Sequence, residues 1–210
     1  MHLITSMIKD AWQAGDIVTT LFLDIQGAFP NMVKEHLLHN MRDCKIPGNY
    51  LAFIESMLTH RRTWLKFNDF ILGPISINNG TTQGCPLSMI LYAFYNTPLI
   101  EVATLKHELS PGFMDDCAFL VRARNFNIMH QYIKDMMEHP QGRFEWSILH
   151  NSPFELTKLA LMNHPRSHHD VPPPNLVLTR TNPNSSQMHQ TVKTVKKYKY
   201  LSAIFDRHLW

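Results

Sequence analysis

Cysteine is scarce in this 210-residue chain: Cys44, Cys85 and Cys117 are an odd number at wide spacings, with no Cys-x-x-Cys pair. That argues against both a disulfide framework and a structural zinc site, and points to a reducing compartment. Long apolar runs are missing too. The longest, residues 89–95, is far too short to span a bilayer, and residues 1–16 carry Asp10 and Asp16 without a sustained apolar stretch. The expectation is an intracellular protein of nucleus or cytoplasm, without a membrane span or targeting signal. Excess charge of one sign is also lacking, since 20 Lys+Arg against 17 Asp+Glu leave only +3 at pH 7. Nucleic-acid binding by charge alone is a poor reading, so any partner has to be placed by geometry. The 13 histidines gain charge on mild acidification, which should strengthen charge-driven association. No internal repeat is visible.

What is present is enough apolar residue for a core: 44% hydrophobic against 18% charged, which argues against disorder and coiled coil. Ile4, Met7, Ile8, Ala11 and Trp12 follow helical spacing up to a stop at Gly15. Residues 18–25 read as a strand buried on both faces, with Asp24 near its end. A helix restarts at Pro30 and Asn31 with Val33, Leu37, Leu38 and Met41 on one face; Asn49 is expected to cap a second core helix carrying Phe53, Ile54, Met57 and Leu58. Alternation over 63–77 around Asn68 and Asp69 predicts a hairpin. Residues 87–102 predict one long, deeply buried helix with Pro86 in its first turn. Residues 111–121 read as a second hairpin-like element, apolar apart from Asp115 and Asp116, and 127–139 and 143–149 as helices. From 163 to 190 the composition shifts to Pro, Ser, Asn and His, a long surface excursion with one strand-like island at 176–178. Strand alternation returns over 192–205, with Lys193, Lys196, Lys197 and Lys199 interleaved.

Asp24 and the pair Asp115, Asp116 lie in separate strands, so the three acids meet only through the fold. Like charges that close repel strongly. The usual resolution is hard divalent cations held by carboxylate oxygens, where a two-metal site clamps the attacking and leaving oxygens of a phosphoryl transfer. The competing reading is a polar hairpin tip, since Asp-Asp pairs are common in turns. His164, His168, His169 and Asp170 lack metal-motif spacing.

Several segments occur together and in order: Leu21-Phe22-Leu23-Asp24-Ile25-Gln26-Gly27-Ala28-Phe29, Gly80-Thr81-Thr82-Gln83-Gly84-Cys85-Pro86-Leu87-Ser88, Phe113-Met114-Asp115-Asp116, Phe154-Glu155-Leu156-Thr157-Lys158 and Tyr198-Lys199-Tyr200-Leu201-Ser202-Ala203-Ile204-Phe205. Together they resemble the reverse transcriptases of non-LTR (LINE-type) retrotransposons, over nearly the whole chain. The resemblance implies an α+β polymerase palm, a ferredoxin-like antiparallel sheet backed by helices, with part of the fingers and the thumb absent. It implies an RNA-directed DNA polymerase that uses an RNA template, a DNA primer and dNTPs. By it, Asp24, Asp115 and Asp116 match the metal-binding carboxylates, with the Ile25 carbonyl as a further ligand, for two Mg²⁺ ions or alternatively Mn²⁺.

The same resemblance puts Phe29 beneath the dNTP sugar, where it would exclude a 2′-hydroxyl; the plainer reading is a core Phe. Gln83 and Gly84 match the loop lining the nucleotide and template pocket. Lys158 matches a lysine near the triphosphate, able to offset leaving-group charge or donate a proton, against the plainer reading of a solvated lysine. Tyr200, Leu201 and Ser202 match the primer grip, where the family usually has Gly in place of Ser202, which bears on how tight that turn is. The C-terminal lysines, Arg61 and Arg62 suit a nucleic-acid backbone, or equally a solvated strand edge. The expected division is 1–162 palm with partial fingers, 163–190 Pro-rich variable excursion, and 191–210 a primer-grip-like hairpin closing the palm. Missing fingers and thumb would come from a longer product. Two alternatives stand beside the polymerase: a truncated, inactive retroelement remnant, and a metal-dependent nuclease using the same acids. Phe29 and the segment 83–86 speak against the nuclease, which has no dNTP sugar to sort.

Overall fold

The computed structural model describes residues 2–101, 103, 105–167, 169–181 and 187–209. In chain order, α1 (His2–Gln13) leads into β1 (Ile17–Asp24), then a single turn α2 (Ala28–Asn31), α3 (Lys34–Asp43) and α4 (Gly48–Leu58). The hairpin β2 (Arg61–Phe67) and β3 (Phe70–Ile77) follows, then α5 (Pro86–Tyr95), α6 (Thr97–Glu101) and the strands β4 (Glu108–Leu109), β5 (Gly112–Phe113) and β6 (Asp116–Ala123). After α7 (Phe126–Glu138) and α8 (Arg143–Leu149) come β7 (Ala160–His164) and two hairpins, β8 (Asn175–Thr181) with β9 (Gln187–Lys193) and β10 (Lys197–Tyr200) with β11 (Ala203–Asp206).

The central sheet runs β4-β6-β1-β7, with β5 also paired to β6, and every pairing is antiparallel. Strand alternation divides β1 between two layers. Ile17, Leu21 and Leu23, with Cys117, Phe119 and Val121 of β6, pack toward α3, α4, α5, α7 and α8. Val18 and Phe22, with Ala118 and Leu120, pack toward α1 and the β10–β11 hairpin through Ile4, Ile8, Tyr200 and Phe205. The sheet is therefore covered on both faces, as the continuous burial of β1 requires.

Local chemistry accounts for the element ends. Gly15 adopts the left-handed conformation (φ +80°) after α1. Asn125 caps α7 by accepting from the Ile128 amide at 3.0 Å. The segment read as one helix over 87–102 is two, because Pro98 has no amide to continue the ladder and the chain turns at Asn96. Its burial is one-sided: Leu91, Tyr92 and Tyr95 are buried, whereas Met89 and Ile90 face solvent. Val102, at its expected end, lies outside the described residues.

Three further expectations differ. Pro47, not Asn49, occupies the N-cap of α4, without a side-chain cap, and Phe53 and Met57 of that helix are exposed while Ile54 and Leu58 are buried. The Pro-rich stretch is not only surface: β8 and β9 pair over their full length, and Leu176, Leu178 and Val192 are buried in the α7 layer. His168 and residues 182–186 of that stretch lie outside the described residues. Finally, burial pushes the pKa values of His130, His150 and His164 down, so these histidines resist charging on mild acidification. Among the described residues no helix is long and apolar enough to cross a membrane.

Candidate active site

Asp24 and Asp116 are direct cross-strand partners at the end of β1 and β6. The next residue, Ile25, donates its amide to the Asp115 carbonyl at 3.1 Å. That alternation makes 24/116 the closer, non-hydrogen-bonded kind of pair, with Cα atoms ~4.5 Å apart and both side chains on the α1 face. Asp115 sits in the two-residue turn between β5 and β6, after Met114, whose φ is +54°. A positive φ at that place is costly for a residue other than Gly. The turn is held by Asn96, whose side-chain amide donates to the Met114 carbonyl at 2.5 Å. The break between α5 and α6 is thus what brings a polar side chain to the acid-bearing turn.

The electrostatics follow from this convergence. Burial first, then Asp115 and Asp24, raise the pKa of Asp116, while Lys158 opposes them. Beneath the acids, burial and their negative charge push the Cys117 thiol up to about 12, so it stays protonated. The Lys158 ammonium donates to the Asp24 carboxylate, and that contact holds the ammonium above its ordinary pKa. Lys158 arrives there because the Glu155 amide donates to the Asp24 carbonyl at 2.9 Å and a 3-10 turn over Leu156–Lys158 follows directly. The Glu155 carboxylate accepts from the Thr157 hydroxyl at 2.6 Å and fixes that turn.

Of the other expected site residues, Tyr200 is bonded to the acid-bearing segment, while Phe29, Gln83 and Gly84 stand on a neighbouring pair of segments. Phe29 follows Gly27 (φ +60°) and is half-buried, its ring 5.5 Å from that of the fully buried Tyr92. Gln83 and Gly84 are exposed, and Gly84 has φ +87°, which favours glycine there. Their loop is laced to the Phe29 segment by amides of Gly80 to the Met32 carbonyl (2.7 Å) and Thr81 to the Phe29 carbonyl (2.9 Å). A Cβ at residue 80 would come 2.6 Å from the Pro30 carbonyl oxygen, so glycine permits that approach. Tyr200 is buried and its hydroxyl donates to the Asp116 carbonyl at 3.4 Å. Leu201 and Ser202 form a two-residue turn with φ +47° and +65°, so the hairpin stays tight despite the serine.

Two neighbours of the acids were not singled out from sequence as site residues. Tyr198 stacks on Phe22 with ring centroids 4.4 Å apart and has its pKa raised by burial, Asp116 and Asp24. Asn96 holds the turn. The alternation of 197–200 was readable, but nothing in it indicates that both tyrosines meet Phe22, and a lone Asn inside an apolar run gives no signal.

As donors, three carboxylates and a backbone carbonyl suit a hard divalent cation in kind, and the mutual repulsion felt by Asp116 is what such a cation relieves. Among the described residues no three His, Cys, Asp or Glu side chains are gathered closely enough to hold a metal ion between them. The charge partner of Asp24 is the Lys158 ammonium.

Residues 2–205 match the family described as reverse transcriptase (RNA-dependent DNA polymerase). The chain belongs to the reverse transcriptase family. This reverse transcriptase domain is 26% identical over 126 residues to a probable RNA-directed DNA polymerase from transposon X-element of Drosophila melanogaster, covering 59% of this chain and 14% of that protein. It is 24% identical over 100 residues to the transposon TX1 uncharacterized 149 kDa protein of Xenopus laevis, covering 48% and 8%. The chain thus spans a small part of these relatives. Among solved structures it resembles apo telomerase from Candida tropicalis, with TM-score 0.59 and 10% identity over 98% of this chain and 37% of that one. Telomerase from Candida albicans in complex with a fragment of telomeric RNA gives TM-score 0.54 and 12% identity over 89% and 34%. The palm-type α+β fold and the non-LTR retrotransposon family, expected from the ordered motifs, are both borne out.

Proposed function

We propose that this reverse transcriptase domain carries out RNA-templated DNA synthesis, transferring a nucleotidyl group from a dNTP to a primer 3′-hydroxyl. The observation that carries the reading is the register of β1 on β6, which sets Asp24 opposite Asp116 with Asp115 in the adjoining turn. Asp24, Asp115, Asp116 and the Ile25 carbonyl would hold two divalent cations, Mg²⁺ or Mn²⁺, which supply activation of the primer hydroxyl and charge relief for the pyrophosphate. Carboxylates hold such ions without competing as nucleophiles.

The chain's own residues have distinct tasks in this reading. Phe29 stands half-buried against Tyr92, so its ring is a rigid floor that a ribose 2′-hydroxyl would strike. Gly84 brings backbone to the nucleotide without a side chain in the way, and the Gln83 amide offers hydrogen bonds to template or nucleotide. Lys158, held beside the acids by its pairing with Asp24, would stand near a triphosphate bound there and could give it a proton or a positive charge. The Tyr200–Leu201–Ser202 turn is tied to the Asp116 backbone, which suits a grip that sets the primer end against the acids.

Primer extension on an annealed RNA template with dNTPs and Mg²⁺, comparing the chain with Asp115→Asn, tests this. Extension by the parent alone supports the reading. Absence of extension by a folded parent overturns it and leaves an inactive member of the family.

A further inference from the structure

Away from the acids, the β2–β3 hairpin is exposed along nearly its whole length. At its foot the Arg61 guanidinium donates to the carbonyls of Leu58 (3.2 Å) and Asn79 (3.0 Å) and ties the hairpin to α4 and to the Gly80 loop. Alternation gives it two unlike faces. Leu65, Phe67, Phe70 and Leu72 share one, whereas Arg62, Trp64 and Lys66 share the other with Ile71 and Ser76.

Trp64 stands opposite the bulge made by Gly73 and Pro74, where the pairing jumps from Thr63–Ile75 to Leu65–Leu72. A Cβ at residue 73 would come 2.5 Å from the Trp64 ring, so the missing side chain of Gly73 is what lets the indole lie on the ribbon. Trp64 is nevertheless 58% exposed, which leaves ring surface open to solvent. Arg62 and Lys66 flank it two positions away on either side, ~7 Å along the strand. The basic face continues into a cavity of about 390 Å³ at the foot, lined among others by Lys34, His60, Arg61 and Arg62. The acid lining it, Glu35, is paired with Lys34 at 3.6 Å. From that cavity Asn78 and Asn79 lead straight into the loop carrying Gln83 and Gly84.

A supported aromatic ring between two cations, continuous with a basic hollow, is the combination that receives single strands: bases stack on the ring and phosphates meet the cations. A duplex presents no free base face to such a ring. We propose that this face of the β2–β3 hairpin holds a single-stranded nucleic acid running from the Gly80–Gly84 loop, one base stacked on Trp64 and its phosphates on Arg62, Lys66 and the foot cavity. The inference rests on the nucleic-acid reading above, but it concerns a surface separate from the acids.

The test is fluorescence anisotropy of labelled RNA and DNA oligonucleotides of the same sequence, without divalent metal or dNTP, over a range of salt, with folding of each variant checked by circular dichroism. Trp64→Ala should weaken binding by about 5- to 150-fold, the span of one lost base stack, and Trp64→Phe should recover much of it. Arg62→Ser with Lys66→Ser should lower the slope of log affinity against log salt by about 1.4. Phe67→Ala, on the opposite face, should bind like the parent. Unchanged binding by Trp64→Ala and by the double variant overturns the proposal, and so does a loss for Phe67→Ala equal to that for Trp64→Ala, which would assign the hairpin to a protein partner or to general packing. A folded parent that binds neither strand overturns it as well. Primer extension is read separately, so the polymerase reading and this surface fail independently.

Discussion

His164 makes the fold acid-labile in a way that can be worked from its surroundings. Its imidazole is fully buried on β7, where Nδ1–H donates to the Arg207 carbonyl at 3.0 Å and Nε2 accepts from the Thr20 hydroxyl at 3.1 Å. Both nitrogens are used by the neutral ring. Burial pushes its pKa down to about 4, His208 acts in the same direction, and the Arg207 carbonyl and Asp206 oppose. In the unfolded chain the imidazole titrates near ~6.5. As pH falls, the unfolded state takes up the proton first, so the contribution is fully present above ~6.5 and is lost progressively down to about 4. The total is about 3 kcal/mol, of which about 2 kcal/mol is lost between pH 7 and 5, a large share of a typical domain's stability. His130 and His150, also shifted down by burial, add to the same slope. The assay is urea unfolding followed by circular dichroism at pH 7 and pH 5, for the parent and His164→Gln. The variant is destabilised at both pH values by its altered bonds to Thr20 and Arg207, but its loss between pH 7 and 5 should be about 2 kcal/mol smaller. An equal loss in parent and variant would refute the reasoning.

Three other outcomes are expected. Asp116→Asn removes a carboxyl held beside Asp115 and Asp24, so without divalent metal its thermal midpoint should rise while primer extension disappears; a lower midpoint would show that repulsion is not what shapes the site. Ser202→Gly relieves a positive φ and should stabilise by about 0.5–1 kcal/mol after the cost of a more flexible unfolded chain, read as a raised unfolding midpoint. Arg143 is buried with its guanidinium 4.8 Å from the Phe119 ring centre and 3.4 Å from the Ser110 hydroxyl, and burial lowers its pKa to about 10. Glu108, a nearly buried carboxylate, opposes that shift, so Arg143→Met together with Glu108→Gln should be neutral or stabilising in urea unfolding; a loss beyond about 2 kcal/mol would mean those contacts outweigh desolvation.

Much of the fold was legible because its signals are local. The run from Ile17 to Leu23 is uncharged and rich in β-branched and apolar residues, which suits an interior strand, and Asn68–Asp69 between alternating residues suits a turn. The acids could be read as a set because ordered motifs, not spacing, linked Asp24 to Asp115 and Asp116. What was not legible depends on partners distant in sequence. Pro98 marks a break in the run from 87 to 102, but nothing there says that Asn96 will hold Met114, since that bond needs the β5–β6 turn in place. The burial of Leu176 and Leu178 was hidden by the prolines that precede them, because composition reports the connection while the α7 face determines what it covers. Ser202 illustrates the reverse: a residue poorly suited to positive φ is carried by the register of β10 on β11.

The place of β1 in the sheet has a consequence for biosynthesis. It leaves the ribosome well ahead of its partners, since those in β6 are 92 to 106 positions downstream and those in β7 are 138 to 146 downstream. At ~5–20 residues per second, this apolar strand waits roughly 5–20 s for a first neighbour. During that interval both of its edges are open to any other nascent strand, and messages that end before β6 would yield chains whose most aggregation-prone segment never finds its mate. Elongation rate and chaperone supply, as much as final stability, therefore set how much of this chain reaches its native sheet.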